Sequence, residues 1–206
     1  MINNDYTQIL KNIPNVKKYV LHYLFEDMEL VHKPNTLWME FGVFSGKSIN
    51  YISNFTDDIV YGFDSFYGLP EDWRDGFGKG AFNMNGKYPR VNKNVKLIPG
   101  LFEDTLSNFL NENEQKISFI HMDADLYSST KYVLNALKSR MDAGCIVLFD
   151  ELVNYPGYDG NNGELRALYE FIQENKIKYE WVAMNGTLGM IGSLNEPVAI
   201  KILEIG

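Results

Sequence analysis

The chain has 206 residues, 45% of them apolar and 22% charged, with a formal net charge of −8. That composition is ordinary for one globular domain with a sizeable core. The negative balance argues against a nucleic-acid backbone or an anionic membrane as partner, and no apolar run approaches the ~20 residues of a transmembrane helix.

The opening residues, MINNDYTQ, hold no basic stretch followed by an apolar one, so no secretory signal and a cytoplasmic protein are expected. Asn15–Val31 reads as a helix, with Val16, Tyr19, Val20, Tyr23, Leu24 and Met28 on one face and Pro34 as its stop. Residues 1–34 are thus a helical extension to a single domain spanning 1–206. His22 and His32 fall within this extension and carry no signal.

An apolar run at Leu37–Phe41 overlaps the stretch Glu40–Ser48, EFGVFSGKS, which leads into a helix at Ile49–Phe55. A strand, a glycine-containing turn and a helix N-terminus form a nucleotide-binding arrangement. The glycines admit close backbone approach, and the helix end offers free N–H groups. Gly46-Lys47-Ser48, with IVLFDE at Ile146–Glu151, looks like the Walker motifs of an ATPase. That motif needs four residues between its first Gly and the Gly-Lys pair. Here Gly42 and Gly46 enclose three, and Glu40 would repel a triphosphate.

Further apolar runs lie at Ile59–Phe63, Val95–Ile98, Ile117–Met122 and Cys145–Phe149. Helical patterns occupy Glu103–Asn111, Ser129–Ser139 and Glu164–Glu174, with Ser128 or Ser129 placed to cap the second. The alternation implies a parallel sheet with helices on both faces. The single cysteine, Cys145, excludes an internal disulfide and reads as a small core residue rather than a nucleophile. Tyr179–Met184, Met190–Ile191 and Val198–Glu204 are strand-like with no helix between them, and Asn185-Gly186 and Ser193–Pro197 supply turns. Five parallel strands followed by an antiparallel pair is the Rossmann-like α/β layout of class I methyltransferases. Tyr67–Asn94 is too long for an ordinary connection and too polar for core. Its Trp73, Phe77, Phe82 and Tyr88 make it a candidate lid.

Glu40, Asp64, Asp123 and Asp150-Glu151 each end a predicted strand. Ligands of open parallel sheets bind outside those ends, and acids gathered there repel one another until something positive arrives. Asp64, about twenty residues beyond the glycine turn, is placed to accept ribose hydroxyls, which suits NAD as well as S-adenosylmethionine. The fingerprint G-x-G-x-x-G of a dinucleotide site is absent, and Phe44 stands where its second glycine belongs. Glu40 suits the cationic methionine end or sulfonium. Asp123, Asp150 and Glu151 supply hard oxygens fit for Mg²⁺. Asp125, two residues on, is either a helix cap or part of that set. His121 alternates inward and reads as a core or supporting residue rather than a ligand.

The segments EFGVFSGKS, YGFDSFYGLPEDWR, LIPGLFEDTL, HMDADLYSST and IVLFDE resemble the macrocin O-methyltransferase group over roughly Leu37 to Tyr169. The resemblance implies metal-assisted O-methyl transfer from S-adenosylmethionine to a hydroxyl of a sugar or other small secondary metabolite, and it is compatible with a homo-oligomer. It implies cofactor contacts at Glu40, Gly42, Ser48, Asp64, Ser65 and Asp123, with Gly100, Leu101 and Phe102 flanking the adenine. Asp123, Asp150 and Glu151 would hold Mg²⁺, and Asp123 or Asp125 would be the base. Two departures stand out: the metal motif ends in Asp-Glu rather than Asp-Asp, and Leu126 replaces the lysine of the related catechol-type enzymes. A protein that holds S-adenosylmethionine without catalysis is the alternative, ahead of the ATPase.

Overall fold

The computed structural model describes residues 6–188 and 196–206. After a single 3-10 turn at Tyr6–Ile9, the chain forms β1 (Asn15–Val16), α1 (Val20–His22) and a π-helical turn over Tyr23–Asp27. There follow β2 (Thr36–Phe41), α2 (Lys47–Ser53), β3 (Val60–Asp64), β4 (Val95–Pro99), α3 (Phe102–Glu112) and β5 (Lys116–Met122). The remainder is α4 (Tyr127–Leu137), β6 (Met141–Phe149), α5 (Gly163–Asn175), β7 (Lys178–Asn185) and β8 (Val198–Glu204). All eight strands join one sheet in the order β1-β7-β8-β6-β5-β2-β3-β4. Neighbours from β4 to β6 are parallel, whereas β8 runs antiparallel to both β6 and β7.

The expected sheet is therefore present, with one refinement: only β8 is reversed, and it inserts between β6 and β7. Period-two alternation divides the core into two layers. Leu37, Met39, Phe41, Ile120, Met122, Val147 and Phe149 pack on the face that also buries Leu106, Val133 and Leu168 of α3, α4 and α5. Trp38, Phe119, Ile146 and Leu148 pack on the other, with Val20 and Leu24 of the extension and Ile49 and Ile52 of α2. Fully burying one such side chain contributes on the order of 2 kcal/mol. No helix among the described residues is long and apolar enough to cross a membrane.

The extension departs from the uniform helix expected over Asn15–Val31. Asn15 and Val16 instead pair in parallel with Met184 and Asn185, and helix runs only from Val20 to Asp27. Asn185 donates its side-chain amide to the carbonyls of Lys17 and Lys18, at 3.0 and 2.8 Å, so those carbonyls are engaged outside any helix. Glu29 then adopts a left-handed conformation, φ 52°, which ends the element before Pro34 is reached. Neither Ser128 nor Ser129 caps α4. Leu126 occupies that position, and Ser128 Oγ donates to Glu71 Oε1 of the long loop at 2.6 Å. The strand expected at Met190–Ile191 lies outside the described residues.

Candidate active site

The strand-end residues meet because the hydrogen-bond ladder runs one residue past each strand. Gly42 N–H donates to Phe63, Gly100 to Asp64, Asp123 to Phe41 and Asp150 to Met122, all at 2.9–3.0 Å. Four of the five strands from β4 to β6 thus deliver their next residue to one level at the carboxyl edge of the sheet. The glycine at 42 is obligatory. Its φ is +92°, and a Cβ there would lie 1.8 Å from the Asp123 carbonyl oxygen.

Asp64 and the turn that follows β2 form a closed unit. Asp64 Oδ2 accepts the backbone N–H groups of Val43 and Phe44 at 2.8 and 2.7 Å, and Oδ1 accepts that of Phe66 at 2.6 Å. The amides of the turn ahead of α2 are therefore filled by the protein's own carboxylate and are not open to a phosphate. A carboxylate offers about four lone-pair directions, so Asp64 keeps roughly one for a ligand hydroxyl.

Two register steps earlier, Glu40 pairs with His121 across β2 and β5. Both are fully buried. His121 Nδ1 lies 2.9 Å from Glu40 Oε2, and Ser48 Oγ of α2 donates to Oε1 at 3.1 Å. On its other side His121 Nε2 is 3.6 Å from Asp150 Oδ1, which also accepts the Tyr19 hydroxyl at 2.6 Å. Burial alone would lower the His121 pKa, but the flanking Asp150 and Glu40 carboxylates raise it well above its usual value. Burial would raise that of Asp150, yet His121 and Tyr19 hold it low. Burial pushes Glu40 up against the opposing pull of His121. The reading of His121 as a supporting residue agrees with this placement.

Oxygens of Asp123, Asp125 and Glu151 lie within 4.8 Å of one another. This differs from the expected trio, since Asp125 takes the place of Asp150, whose Oδ1 is turned to Tyr19 and His121. Asp125 has a left-handed backbone, φ 59°, and does not cap α4. Burial, with Asp150 nearby, raises the pKa of Asp123 well above the ordinary range and that of Asp125 to about 7. Burial likewise raises Glu151. Glu151 Oε2 is buried without a hydrogen-bond partner. Hard oxygens, crowded negative charge and an orphaned buried oxygen fit a divalent cation.

Two cavities flank this centre. One, of about 260 Å³, is lined by Gly42, Asp64, Ser65, Gly100, Leu101 and Phe102, and the long loop covers it with Gly68, Leu69, Pro70 and Phe82. The other, of about 480 Å³, is lined by Tyr19 and His22 of the extension and by Ser45, Lys47, Ser48 and Tyr51 of α2 and the turn before it. Phe44, Asp123 and Asp150 line both. Every residue expected to contact a cofactor lines one of them except Glu40, which sits behind Ser48. Tyr19, Phe44 and Glu164 were missed. Tyr19 read as one apolar position among several, Phe44 only as an obstruction, and Glu164 only as the first residue of a helical pattern.

A parallel sheet with one reversed inner strand, and with its glycine turn and acids at a single edge, is the Rossmann-like methyltransferase fold. The family model described as Macrocin-O-methyltransferase (TylF) matches residues 36–187, and the chain belongs to that family of O-methyltransferases. Among solved structures it is similar to the calicheamicin methyltransferase CalS11, at 22% identity over 88% of this chain and 76% of that one, TM-score 0.57. The O-methyltransferase NovP is 21% identical over 90% and 77% of the two chains, TM-score 0.54. A Bacillus cereus O-methyltransferase in complex with SAH is 16% identical over 97% and 89%, TM-score 0.56. No curated protein matches the sequence.

Proposed function

We propose that this protein transfers the methyl group of S-adenosylmethionine to a hydroxyl of a sugar or other small secondary metabolite, assisted by Mg²⁺. The observation that carries the reading is the Asp123–Asp125–Glu151 cluster beside the two cavities that meet at Asp123 and Asp150. A protein that merely holds the cofactor has no use for such a cluster. Family membership supports the reaction class, and the description of one relative, CalS11, as a calicheamicin methyltransferase and a TDP-rhamnose 3'-O-methyltransferase supports a sugar among the acceptors.

The cofactor supplies a methyl group already activated by its sulfonium charge, and Mg²⁺ supplies a Lewis acid that lowers the pKa of a bound hydroxyl. The chain's residues do the rest. Ser65, Asp64 and Gly100–Phe102 line the cavity suited to the nucleoside, and Ser48, with Glu40 behind it, borders the cavity suited to the methionine end. Asp123, Asp125 and Glu151 hold the cation, and Asp150 borders it. Asp123 or Asp125 accepts the hydroxyl proton. Phe82 and the loop residues above the first cavity exclude water, which strengthens the field of the carboxylates. Binding titrations with S-adenosylmethionine, ATP and NAD, followed by methyl-transfer assays on nucleotide-linked and free sugars with Mg²⁺ or EDTA, test the reading. Binding of S-adenosylmethionine alone is expected. Tight ATP binding dependent on Lys47, or full turnover in EDTA, would overturn the corresponding part.

A further inference from the structure

Glu164 is the second residue of α5 and has no exposed surface. An acid in a helix's first turn ordinarily faces solvent, where it complements the positive end of the helix. Here the chain turns it inward. Gly163 before it is left-handed, φ +63°, and a Cβ at that position would come within 2.7 Å of the Tyr155 hydroxyl. A side chain at 163 would be strained by that backbone and would have to displace the Tyr155 ring.

Turned inward, the carboxylate reaches one strand end. Oε2 accepts the Glu151 N–H at 3.2 Å. One side chain of α5 therefore holds the backbone of the residue after Asp150. Its other oxygen, Oε1, is buried without any hydrogen-bond partner, and Asp125 and Asp150 act on the group electrostatically. Glu151 Oε2 is orphaned in the same way. Two linked glutamates, each with an unpartnered buried oxygen, leave acceptors that no group among the described residues meets.

We propose that Glu164 supports the cation site, where it holds the backbone of Glu151 in place and adds a further buried carboxylate charge behind the ligands of a divalent cation. This rests on the metal-assisted reading above. It assigns Glu164 as a positioning residue rather than a catalytic one, since it lies outside the trio whose oxygens converge.

The test uses metal-free full-length protein titrated with Mn²⁺, with free ion followed by electron paramagnetic resonance and melting measured in EDTA. Wild type, Glu164→Gln, Glu164→Ala and Asp123→Asn are compared. Glu164→Gln keeps an oxygen to accept the Glu151 N–H, so it is expected to melt close to wild type in EDTA yet bind Mn²⁺ at least about tenfold more weakly. Glu164→Ala is expected to lose both stability and affinity. Wild-type Mn²⁺ affinity in Glu164→Gln or in a folded Glu164→Ala, with Asp123→Asn impaired, would overturn the role of Glu164 alone. Absence of Mn²⁺ binding in the wild type would overturn the metal reading beneath it.

Discussion

His121 lies 2.9 Å from Glu40 on a neighbouring strand, with Asp150 3.6 Å away on the far side of the same ring. The imidazole is thus a buried bridge from the acid behind the glycine turn to the acid bordering the proposed cation site. Strand register sets this geometry, since the two residues are direct partners of β2 and β5 and point to the same face.

Replacing His121 with Leu should leave two buried acids without their shared cation. Breaking a buried ion pair on one side costs about 3–5 kcal/mol, and Glu40→Gln together with His121→Leu should recover part of it. Urea denaturation of the single and double variants measures both. A single variant as stable as wild type would show that the bridge carries no charge.

Asp64→Ala should cost stability as well as cofactor affinity. It strands the part-buried amides of Val43 and Phe66 and the exposed one of Phe44, and a fully buried unpaired donor would cost about 1–3 kcal/mol, so the loss falls toward the low end of that range for each. A lowered denaturation midpoint without ligand, alongside weaker S-adenosylmethionine binding in calorimetry, is the expected result. Loss of binding at unchanged stability would contradict a scaffolding role for the carboxylate.

Metal-free protein should lose stability as pH rises. Asp125 moves from an ordinary 3.8 to about 7 on folding, so across that interval the folded state holds more protons than the unfolded one. Asp123, Glu151, Glu164 and His121 shift in the same direction, while Asp150, held low, contributes only below the ordinary carboxylate range. Melting temperature in EDTA should therefore fall as pH rises toward 7. Mg²⁺ should stabilise most at the high end, where fewer protons compete for its oxygens. A metal-free melting temperature that climbs over this interval would count against the shifts.

The loop at Tyr67–Asn94 should order further when ligand binds. It roofs the smaller cavity and is fastened to α4 by Ser128 on Glu71 at 2.6 Å. Ser128→Ala removes one exposed hydrogen bond, worth about 0.5–1.5 kcal/mol, and should speed amide exchange in the loop without ligand. Equal exchange with and without S-adenosylmethionine and acceptor would argue for a static cover.

Much of this was legible because periodicity is local. The strands at Leu37–Phe41 and Ile117–Met122 each carry their burial pattern within a few residues, and the acids that follow them could be aligned by counting. What escaped depends on partners far away in sequence. Asn185 captures carbonyls of Lys17 and Lys18 across more than 160 residues and shortens the first helix. Tyr19 reaches Asp150, and Glu164 reaches Glu151, through contacts that no spacing rule encodes. Asp125 replaced Asp150 in the cluster because Tyr19 and His121 claim the latter's oxygen, a competition visible only in three dimensions.

The insertion of β8 between β6 and β7 imposes an order on synthesis. While the chain is being made, β6 must wait with an open edge and β7 has no neighbour on its inner side, because the strand that joins them is translated after both. The cofactor-facing strands can assemble on the ribosome, but the sheet closes only once residues 198–204 have emerged. Stop codons or frameshifts just ahead of Val198 would leave the β6 edge unpaired, which makes such products candidates for edge-to-edge aggregation rather than for weakened enzyme.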